Sequence, residues 1–237
     1  PFKHRPRRLG FKGEEALTSA IISVTQNSQP LVWIATGHGE KAIADGQPQG
    51  LSNLKRRMEQ ENMQVEAATL LEHADIPQAV NVIVIPGPAR AFAEAELLIL
   101  QNYLDRGGRL LALIDPLNNS GLEELLSRWG LELGRDIVVD PARQLPFVSP
   151  ANLFVTTYTK HPIVEHMETF MTLFPLARSV QPVATLPEGV EAQKLAMTSP
   201  QGWGETDPDT SPFKFDEGQD ANGPVSIAAA AERRQPA

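Results

Sequence analysis

Apolar residues recur along residues 1–140 in two alternating patterns. Short continuous apolar runs predict strands at 31–35, 65–70, 82–85, 110–114 and 137–139. Between them, apolar residues at helical spacing predict helices over 13–26, around Leu51, Leu54 and Met58, and over 93–106 and 122–129. Strands that alternate with helices through short connections favour a three-layer α/β fold with a mostly parallel sheet.

Parallel crossovers are right-handed, so we expect a flavodoxin-like arrangement of this sheet. After Asp140 the pattern weakens, and Pro-rich stretches separate strand candidates at 153–157, 194–198 and 225–231. We interpret this part as an irregular C-terminal extension on the same sheet. The predicted organisation is a basic arm over 1–10, one α/β domain over 11–198, and a loop with the last strand of that domain over 199–237.

Composition narrows the classes of partner and chemistry. The net charge of −8 argues against nucleic acid as a partner. The basic arm, with Lys3, Arg5 and Arg7, suits either anionic lipid or plain solvent. The chain has no cysteine, which excludes thiolate metal sites and Cys nucleophiles, and we expect neither a metal nor a cofactor.

No signal peptide is visible, and no apolar run approaches the roughly 20 residues that span a bilayer. The chain begins at Pro1 without a methionine and stops abruptly at Ala237. We interpret it as a segment of a longer protein, truncated within its last domain.

The most informative stretch is the end of the first predicted strand, where 31–35 runs into Thr36-Gly37-His38-Gly39-Glu40. Ligands of open α/β sheets bind beyond the carboxyl ends of strands. The loop lacks the G-x-G-x-x-G spacing and the lysine of a P-loop. Three interpretations of this loop stay open. The first is anion binding, and the second is metal or acid–base chemistry by His38 and Glu40. The third, which is favoured, is a tight turn with positive φ at the glycines.

Two further strand ends could complete that edge of the sheet. In class I glutamine amidotransferases, a glycine placed like Gly87 in Pro86-Gly87-Pro88 helps form an oxyanion hole. The nucleophile elbow after the next strand would be Asp115-Pro116 here, which has neither Cys nor Ser, so we do not expect a covalent acyl mechanism. The fold can therefore be amidotransferase-like without the catalytic residues, and we predict no catalytic residue.

The candidate ligand-binding residues are those that these strand ends would bring to one rim: His38, Gly39, Glu40, Gly87 and Asp115. They would suit a small molecule or a carbohydrate. A hydrolase that uses His38 with Asp115 or Glu40 is a third possibility.

Other candidates have simpler alternatives. Asp115 and Asp140 both end predicted strands. If the two strand ends share a rim, the two carboxylates would form a cation site; the alternative is that each marks an ordinary Asp-Pro turn. His161 and His166 have a spacing that suits a metal only if a helix carries them. Trp203 lies in a polar loop, where it would anchor a partner or fold back against the sheet edge.

Several short motifs occur in an order that resembles one known family. They are Gly-Glu-Glu-Ala-Leu-Thr-Ser from Gly13, Thr-Gly-His-Gly-Glu from Thr36, Pro-Gly-Pro from Pro86, Tyr-Leu-x-x-Gly-Gly from Tyr103, Asp-Pro at Asp115, Tyr-x-x-His-Pro-Ile from Tyr158 and Thr-Ser-x-x-x-Trp from Thr198. Over residues 11–231 this set resembles the soluble domain of the uncharacterised ABC-type transport system family, which includes the gliding-motility-associated auxiliary protein.

The resemblance implies a bacterial auxiliary subunit that works with an ABC permease and ATPase. It implies a periplasmic or other extracytoplasmic domain, anchored in the membrane by transmembrane helices outside this chain. It also implies an amidotransferase-like α/β fold, related to a scaffold domain of intraflagellar-transport proteins. No catalytic or ligand-binding residue comes with it. We therefore expect a non-catalytic domain that acts by protein contact or substrate binding.

Overall fold

The computed structural model of the 237-residue chain describes residues 29–209 and 212–234. The predicted basic arm and the predicted helix over 13–26 lie outside these residues. The chain divides into two compact units. The first contains the described residues up to Pro86 together with Asn102–Ala112, and the second contains Gly87–Gln101 and the described residues from Leu113 onwards.

The described residues form three α-helices close to the predicted positions: α1 Ser52–Gln60, α2 Glu94–Asp105 and α3 Glu123–Arg128. Glu94 and Glu96 lie in the first turn of α2, where their charges suit the positive end of the helix dipole. Gly107 has a φ of +88° just after α2, a conformation that favours glycine at a helix end. None of the helices described is long and apolar enough to cross a membrane.

A parallel sheet forms the centre of the first unit. Its strands are β1 Leu31–Ala35, β2 Gln64–Ala68, β3 Val80–Pro86 and β4 Leu110–Leu113, in the order β2-β1-β3-β4. β1 runs parallel to both of its neighbours. This order is the one with which flavodoxin-like sheets begin, and it places a topological switch point between β1 and β3.

Aliphatic side chains on the α1 side of this sheet form one core cluster. Val32, Ile34 and Val84 are at most 3% exposed, and Leu51 and Met58 of the α1 region pack against them. The predicted helix with Leu51 and Met58 therefore has the expected role, because its apolar stripe covers the sheet.

The second unit contains antiparallel strands of two to eight residues. They are β5 Leu131–Leu133, β6 Ile137–Val139, β7 Asn152–Val155, β8 Thr157–Tyr158, β9 Thr172–Pro175, β10 Val180–Pro182, β11 Val190–Met197, β12 Trp203–Glu205, β13 Ala221–Asn222 and β14 Ser226–Arg233. They pair as β10-β5, β14-β11-β8, β13-β12-β6 and β7-β9.

The fold is therefore mixed α/β, and the predicted sheet is corrected in two respects. The strand at 137–139 does not continue the parallel sheet, because β6 pairs antiparallel with β12, with Val139 opposite Trp203. The later strands form sheets of their own instead of extending the first one. An apolar run such as 137–139 indicates burial, but it does not reveal the direction of its partner. The domain boundaries given above stay a prediction.

Candidate functional site

The loop after β1, residues 36–40, is a turn whose first residue is held by the end of β2. Thr36 N–H donates to the carbonyl of Ala68, at 2.9 Å, and the hydroxyls of Thr36 and Thr69 lie 3.2 Å apart. Gly37 and Gly39 have φ values of +119° and +80°, which only glycine adopts without strain. The interpretation of this loop as a tight turn is confirmed.

His38 and Glu40 contact each other inside this loop. The Glu40 carboxylate accepts a hydrogen bond of 2.7 Å from His38 N–H, and its other oxygen lies 3.3 Å from His38 Nδ1. The Glu40 side chain is 1% exposed and that of His38 is 12% exposed. A buried carboxylate needs hydrogen-bond donors, and His38 supplies them here. The pair therefore closes the loop.

The loop is also tied to the end of β3. Lys41 N–H donates to the carbonyl of Pro86, at 3.0 Å. β1 and β3 flank the topological switch point, where a doubly wound sheet leaves a crevice for ligands. In this chain a backbone hydrogen bond connects the end of β3 to Lys41, the residue that follows the 36–40 loop.

The remaining predicted rim residues lie in the other unit. Gly87 has a φ of +66° and donates from its N–H to the Leu113 carbonyl, at 2.7 Å. Asp115 is exposed and follows β4. The structure thus brings His38, Gly39 and Glu40 together on one loop, and it assigns Gly87 and Asp115 to the second unit. A common rim formed by all five residues stays a prediction.

The Tyr-Leu-x-x-Gly-Gly motif has a structural role at the opposite, amino-terminal edge of the sheet. The buried Tyr103 hydroxyl accepts from Arg109 N–H, at 3.2 Å, and lies 3.3 Å from the carbonyl of Val80. A Cβ at Gly108 would lie 2.4 Å from the Tyr103 ring, so only glycine fits there. Burial raises the pKa of the Tyr103 hydroxyl, although the Arg109 backbone and charge oppose this rise.

Sequence reasoning missed the burial of a set of carboxylates in the second unit. Asp136, Asp140, Glu205 and Asp220 are between 1% and 7% exposed. Carboxylates are rarely buried unless they are paired or hydrogen-bonded. Each of these four carboxylates accepts hydrogen bonds from other residues of the second unit.

Asp136 and Asp140 are bound in the same way, each by a single serine. Asp136 accepts from the Ser179 N–H at 2.8 Å and from its hydroxyl at 2.6 Å. Asp140 accepts from the Ser199 N–H at 2.7 Å and from its hydroxyl at 2.6 Å. We call these two pairs the Asp–Ser clamps. The Asp136 clamp connects the residue before β6 to Ser179, 43 positions later in the chain. The Asp140 clamp connects the residue after β6 to Ser199, 59 positions later.

The clamp at Asp140 corrects the predicted cation site. Asp115 follows a strand of the parallel sheet, whereas Asp140 follows β6 of an antiparallel sheet, so the two strands share no sheet rim. Both Asp140 oxygens are bound by Ser199. Ser199 belongs to the Thr-Ser-x-x-x-Trp motif, so the sequence contained a signal for this residue. Nothing in the sequence linked Ser199 to Asp140.

Trp203 folds back, as one of its two interpretations predicted. It packs against the cluster of Ile137, Val139 and Ala151, and its Nε1 donates to Glu205 at 3.2 Å. The other Glu205 oxygen accepts from Asp207 N–H at 3.0 Å. Trp203 is thus part of the core around β6 and β12.

Asp220 fastens the loop between β12 and β13. It accepts from the N–H and the hydroxyl of Thr206 and from the N–H of Asp216, at 2.8–3.0 Å. Burial raises the pKa of Asp220, but these hydrogen bonds outweigh burial and leave the pKa below its ordinary value.

The two histidines considered as metal ligands each lie directly before a 3-10 turn. His161 Nδ1 accepts from Ile163 N–H at 3.2 Å and caps the 3-10 turn Pro162–Val164, and His166 has a φ of +70°. The helix that a paired-histidine site requires is absent from this segment of the described chain. Among the described residues, no group of three or more His, Asp or Glu side chains is arranged to hold a metal ion.

Comparison with known proteins adds a family and a fold. The model of a family described as ABC-type uncharacterized transport system matches residues 29–236. A solved structure described as "mmIFT52 N-terminal domain" matches with a TM-score of 0.59 and 16% identity, over 72% of this chain and 74% of that one. At this identity the likeness is one of fold. No curated protein matches the chain.

Proposed function

Because the chain belongs to the ABC-type uncharacterized transport system family, we propose that it is a non-catalytic, extracytoplasmic domain of an auxiliary transport subunit that acts by protein contact. Its partners would be the ABC permease and ATPase of the system. The intact protein would be anchored by transmembrane helices outside this chain and would lie on the periplasmic side. A gliding-motility-like role is the finer form of the same proposal.

The observation that carries this proposal is the burial and hydrogen bonding of the Glu40 carboxylate. At the strand end where this type of sheet binds ligands, the one carboxylate of the loop is buried and bound by His38 of the same loop. A general base has to reach the proton that it abstracts from a substrate. Glu40 and His38 instead satisfy each other, which supports a structural role for the loop.

The sequence around the second unit's strand ends supports the same conclusion. The chain has no cysteine, and the position after β4 carries Asp115-Pro116, where proline has no N–H to stabilise an oxyanion. The β2-β1-β3-β4 order supports the flavodoxin-like and amidotransferase-like descriptions of the fold. A fold of this type without Cys or Ser at the elbow position is consistent with a role as a scaffold.

The test is affinity purification of the intact, membrane-anchored protein from its own cells, followed by identification of the proteins that accompany it. The expected result is enrichment of a permease and an ATPase of one ABC system over a purification from cells that carry the affinity tag alone. Enrichment of neither subunit would contradict the proposal.

A second candidate is a small-molecule or carbohydrate site on the rim of His38, Gly39, Glu40, Gly87 and Asp115. The observation in its favour is the position of the 36–40 loop at the switch point between β1 and β3. A ligand that raises the melting temperature of the protein, with the rise lost in His38→Ala and Asp115→Ala, would support it. A hydrolase that uses His38 with Glu40 or Asp115 is third, and it requires turnover that His38→Ala abolishes.

A further inference from the structure

A cavity of about 290 Å³ opens at the amino-terminal edge of the parallel sheet, within the first unit. Residues at the start of β3, at the end of α2 and just before β4 line it. Pockets that bind small molecules begin at roughly 300 Å³, so the size of this cavity suits a small ligand. It lies at the opposite end of the strands from the 36–40 loop and is therefore separate from the rim considered above.

The Tyr-Leu-x-x-Gly-Gly motif forms one side of this cavity. Tyr103 is 4% exposed, and the backbone of Val80 and Arg109 holds its hydroxyl in place. Gly107 and Gly108 also line the cavity, and neither places a side chain in it. The motif thus supplies a fixed aromatic ring beside a stretch of bare backbone, which leaves room for a ligand.

The charge of the cavity is positive. Two arginines line it, and none of the described residues that line it is acidic. Arg106 is already paired, since its guanidinium donates to both carboxylate oxygens of Asp75, at 2.5 and 2.8 Å, and to the Ile76 carbonyl, at 3.1 Å. The Arg109 side chain forms no hydrogen bond or ion pair with any described residue. One positive charge is therefore left without a counter-charge in a chain whose net charge is −8.

The Arg109 guanidinium lies close enough to the cavity to act on its buried tyrosine. Burial raises the pKa of the Tyr103 hydroxyl, and the positive charge of Arg109 lowers it. An arginine that extended into solvent away from the cavity would have little effect on a buried hydroxyl.

Two amide side chains add neutral donors. Gln78 lines the cavity, and its side chain has no partner among the described residues. Asn81 is an extra residue on β3, because Leu31 lies opposite Val80 and Val32 opposite Val82. Its Oδ1 accepts from Leu31 N–H at 2.8 Å, which leaves the NH₂ group of this lining residue as a donor. Bulges of this kind often redirect a side chain towards a binding site.

We propose that this cavity, which we call the Arg109 cavity, binds the carboxylate of a small organic acid. Arg109 would hold the two carboxylate oxygens with parallel N–H donors, the arrangement that a guanidinium favours. The amides of Gln78 and Asn81 would donate from the side. The apolar part of the acid would lie against the Tyr103 ring and the backbone of Gly107.

A carboxylate fits the Arg109 cavity better than a phosphate does. One unpaired guanidinium balances one negative charge, whereas a phosphate group carries nearly two. The cavity also lies at the carboxyl end of α2, where the helix dipole disfavours additional negative charge. This inference does not depend on the proposed transport role.

An NMR titration of the isotope-labelled chain tests the proposal, with acetate and benzoate as probes and acetamide and benzamide as their uncharged counterparts. We expect both acids to shift the Gly107 and Gly108 amide signals in a saturable way, and neither amide to do so. Arg109→Gln should raise the dissociation constants at least roughly tenfold, because the substitution removes the charged donor. Arg135→Gln, at an exposed arginine of the second unit, is the matched control and should leave them unchanged.

Two results would overturn the proposal. One is the absence of a saturable shift with either acid up to roughly 50 mM, a concentration at which even weak sites fill. The other is an equal effect of Arg109→Gln and Arg135→Gln.

Gln78→Glu tests the same site with the Arg109 guanidinium left in place. The new carboxylate would compete for Arg109, so we expect the saturable shifts to disappear while the melting temperature stays the same, because Gln78 is exposed. Unchanged binding in Gln78→Glu would mean that the acid binds elsewhere and would contradict the proposal. Inorganic phosphate that binds more tightly than both acids, with the binding lost in Arg109→Gln, would assign the cavity to a phosphate instead.

Discussion

In the parallel sheet of the first unit, β1 and β3 are covered by aliphatic side chains such as Val32, Ile34 and Val84. In the second unit, the strands around β6 and β12 are short, and buried carboxylates fasten the segments beside them. Asp136 and Asp140 bind one serine each, and Asp220 binds the Thr206 segment. The first region is stabilised mainly by apolar burial, and the second also by charge-assisted hydrogen bonds.

The difference shows how short strands keep a fixed register. A strand of two or three residues has few ladder hydrogen bonds and little apolar area with which to select one partner. A buried carboxylate that accepts hydrogen bonds from both the N–H and the hydroxyl of one serine has little freedom to pair with a neighbouring residue instead. The Asp–Ser clamps can therefore determine which distant segments lie beside β6, while hydrophobic patterning suffices for the longer parallel strands.

The largest loss of stability is expected for Ile34→Ala, which removes a side chain that is 1% exposed in the core of the parallel sheet. The free energy of unfolding should fall by about 2–5 kcal/mol, because the substitution loses apolar burial and leaves a cavity. Leu71→Ala, at a residue that is 59% exposed in the same unit, is the matched control and should change it by less than about 0.5 kcal/mol. Urea unfolding measures both, and similar losses would contradict the assigned core.

Asp140→Ala should lower the free energy of unfolding by about 1–3 kcal/mol, because it leaves the buried N–H and hydroxyl of Ser199 without their acceptor. Ser199→Ala removes only the hydroxyl and should cost less. Hydrogen exchange should show faster exchange near Ser199 in Asp140→Ala. If the double variant loses the sum of the two single effects, the clamp does not couple these residues as described.

Glu40→Ala is expected to cost about 1–2 kcal/mol, because the carboxylate is buried and accepts the His38 N–H. His38→Ala keeps that backbone N–H and should cost less than about 1 kcal/mol. Thermal or chemical unfolding of the two variants checks the order. The reverse order would mean that the His38 ring, and not the carboxylate, holds the loop.

Asp220→Asn should produce the smallest effect, seen mainly as a change in pH dependence. The pKa of Asp220 is below its ordinary value in the folded protein, so its ionised form stabilises the fold at pH values above the unfolded pKa. That stabilisation is lost as the pH falls through the folded pKa. The loss of stability in acid should therefore be less steep in Asp220→Asn than in the unsubstituted chain. Identical acid profiles would contradict this role of Asp220.

Most of the first region was predictable from local pattern, and most of the second was not. The runs at 31–35 and 82–85 are long and apolar enough to identify as buried strands, and the helix at 93–106 has clear periodicity and a glycine stop. β5, β8, β10, β12 and β13 have two or three residues each, too few to show a period. The pairing of β6 with β12 joins residues more than 60 positions apart, and no local pattern encodes it.

The candidate site was predictable to a similar, partial extent. The glycines of the 36–40 loop indicated a turn with positive φ, and the structure has it. The contact of Glu40 with His38 could be anticipated from their closeness in sequence, whereas burial of the carboxylate depends on the surrounding fold. The Asp–Ser clamps escaped prediction because Asp140-Pro141 looks like an ordinary strand-ending turn until Ser199 is placed beside it.

We proposed that this domain works by protein contact, with the 36–40 loop as a structural element. The most direct measurement is the yield of permease and ATPase that co-purify with the intact protein carrying His38→Ala, relative to the unsubstituted protein, together with the transport activity of the cells. We expect both the yield and the transport activity to be unchanged. Loss of transport with a folded protein and an unchanged yield would contradict it, because the loop would then act on a ligand.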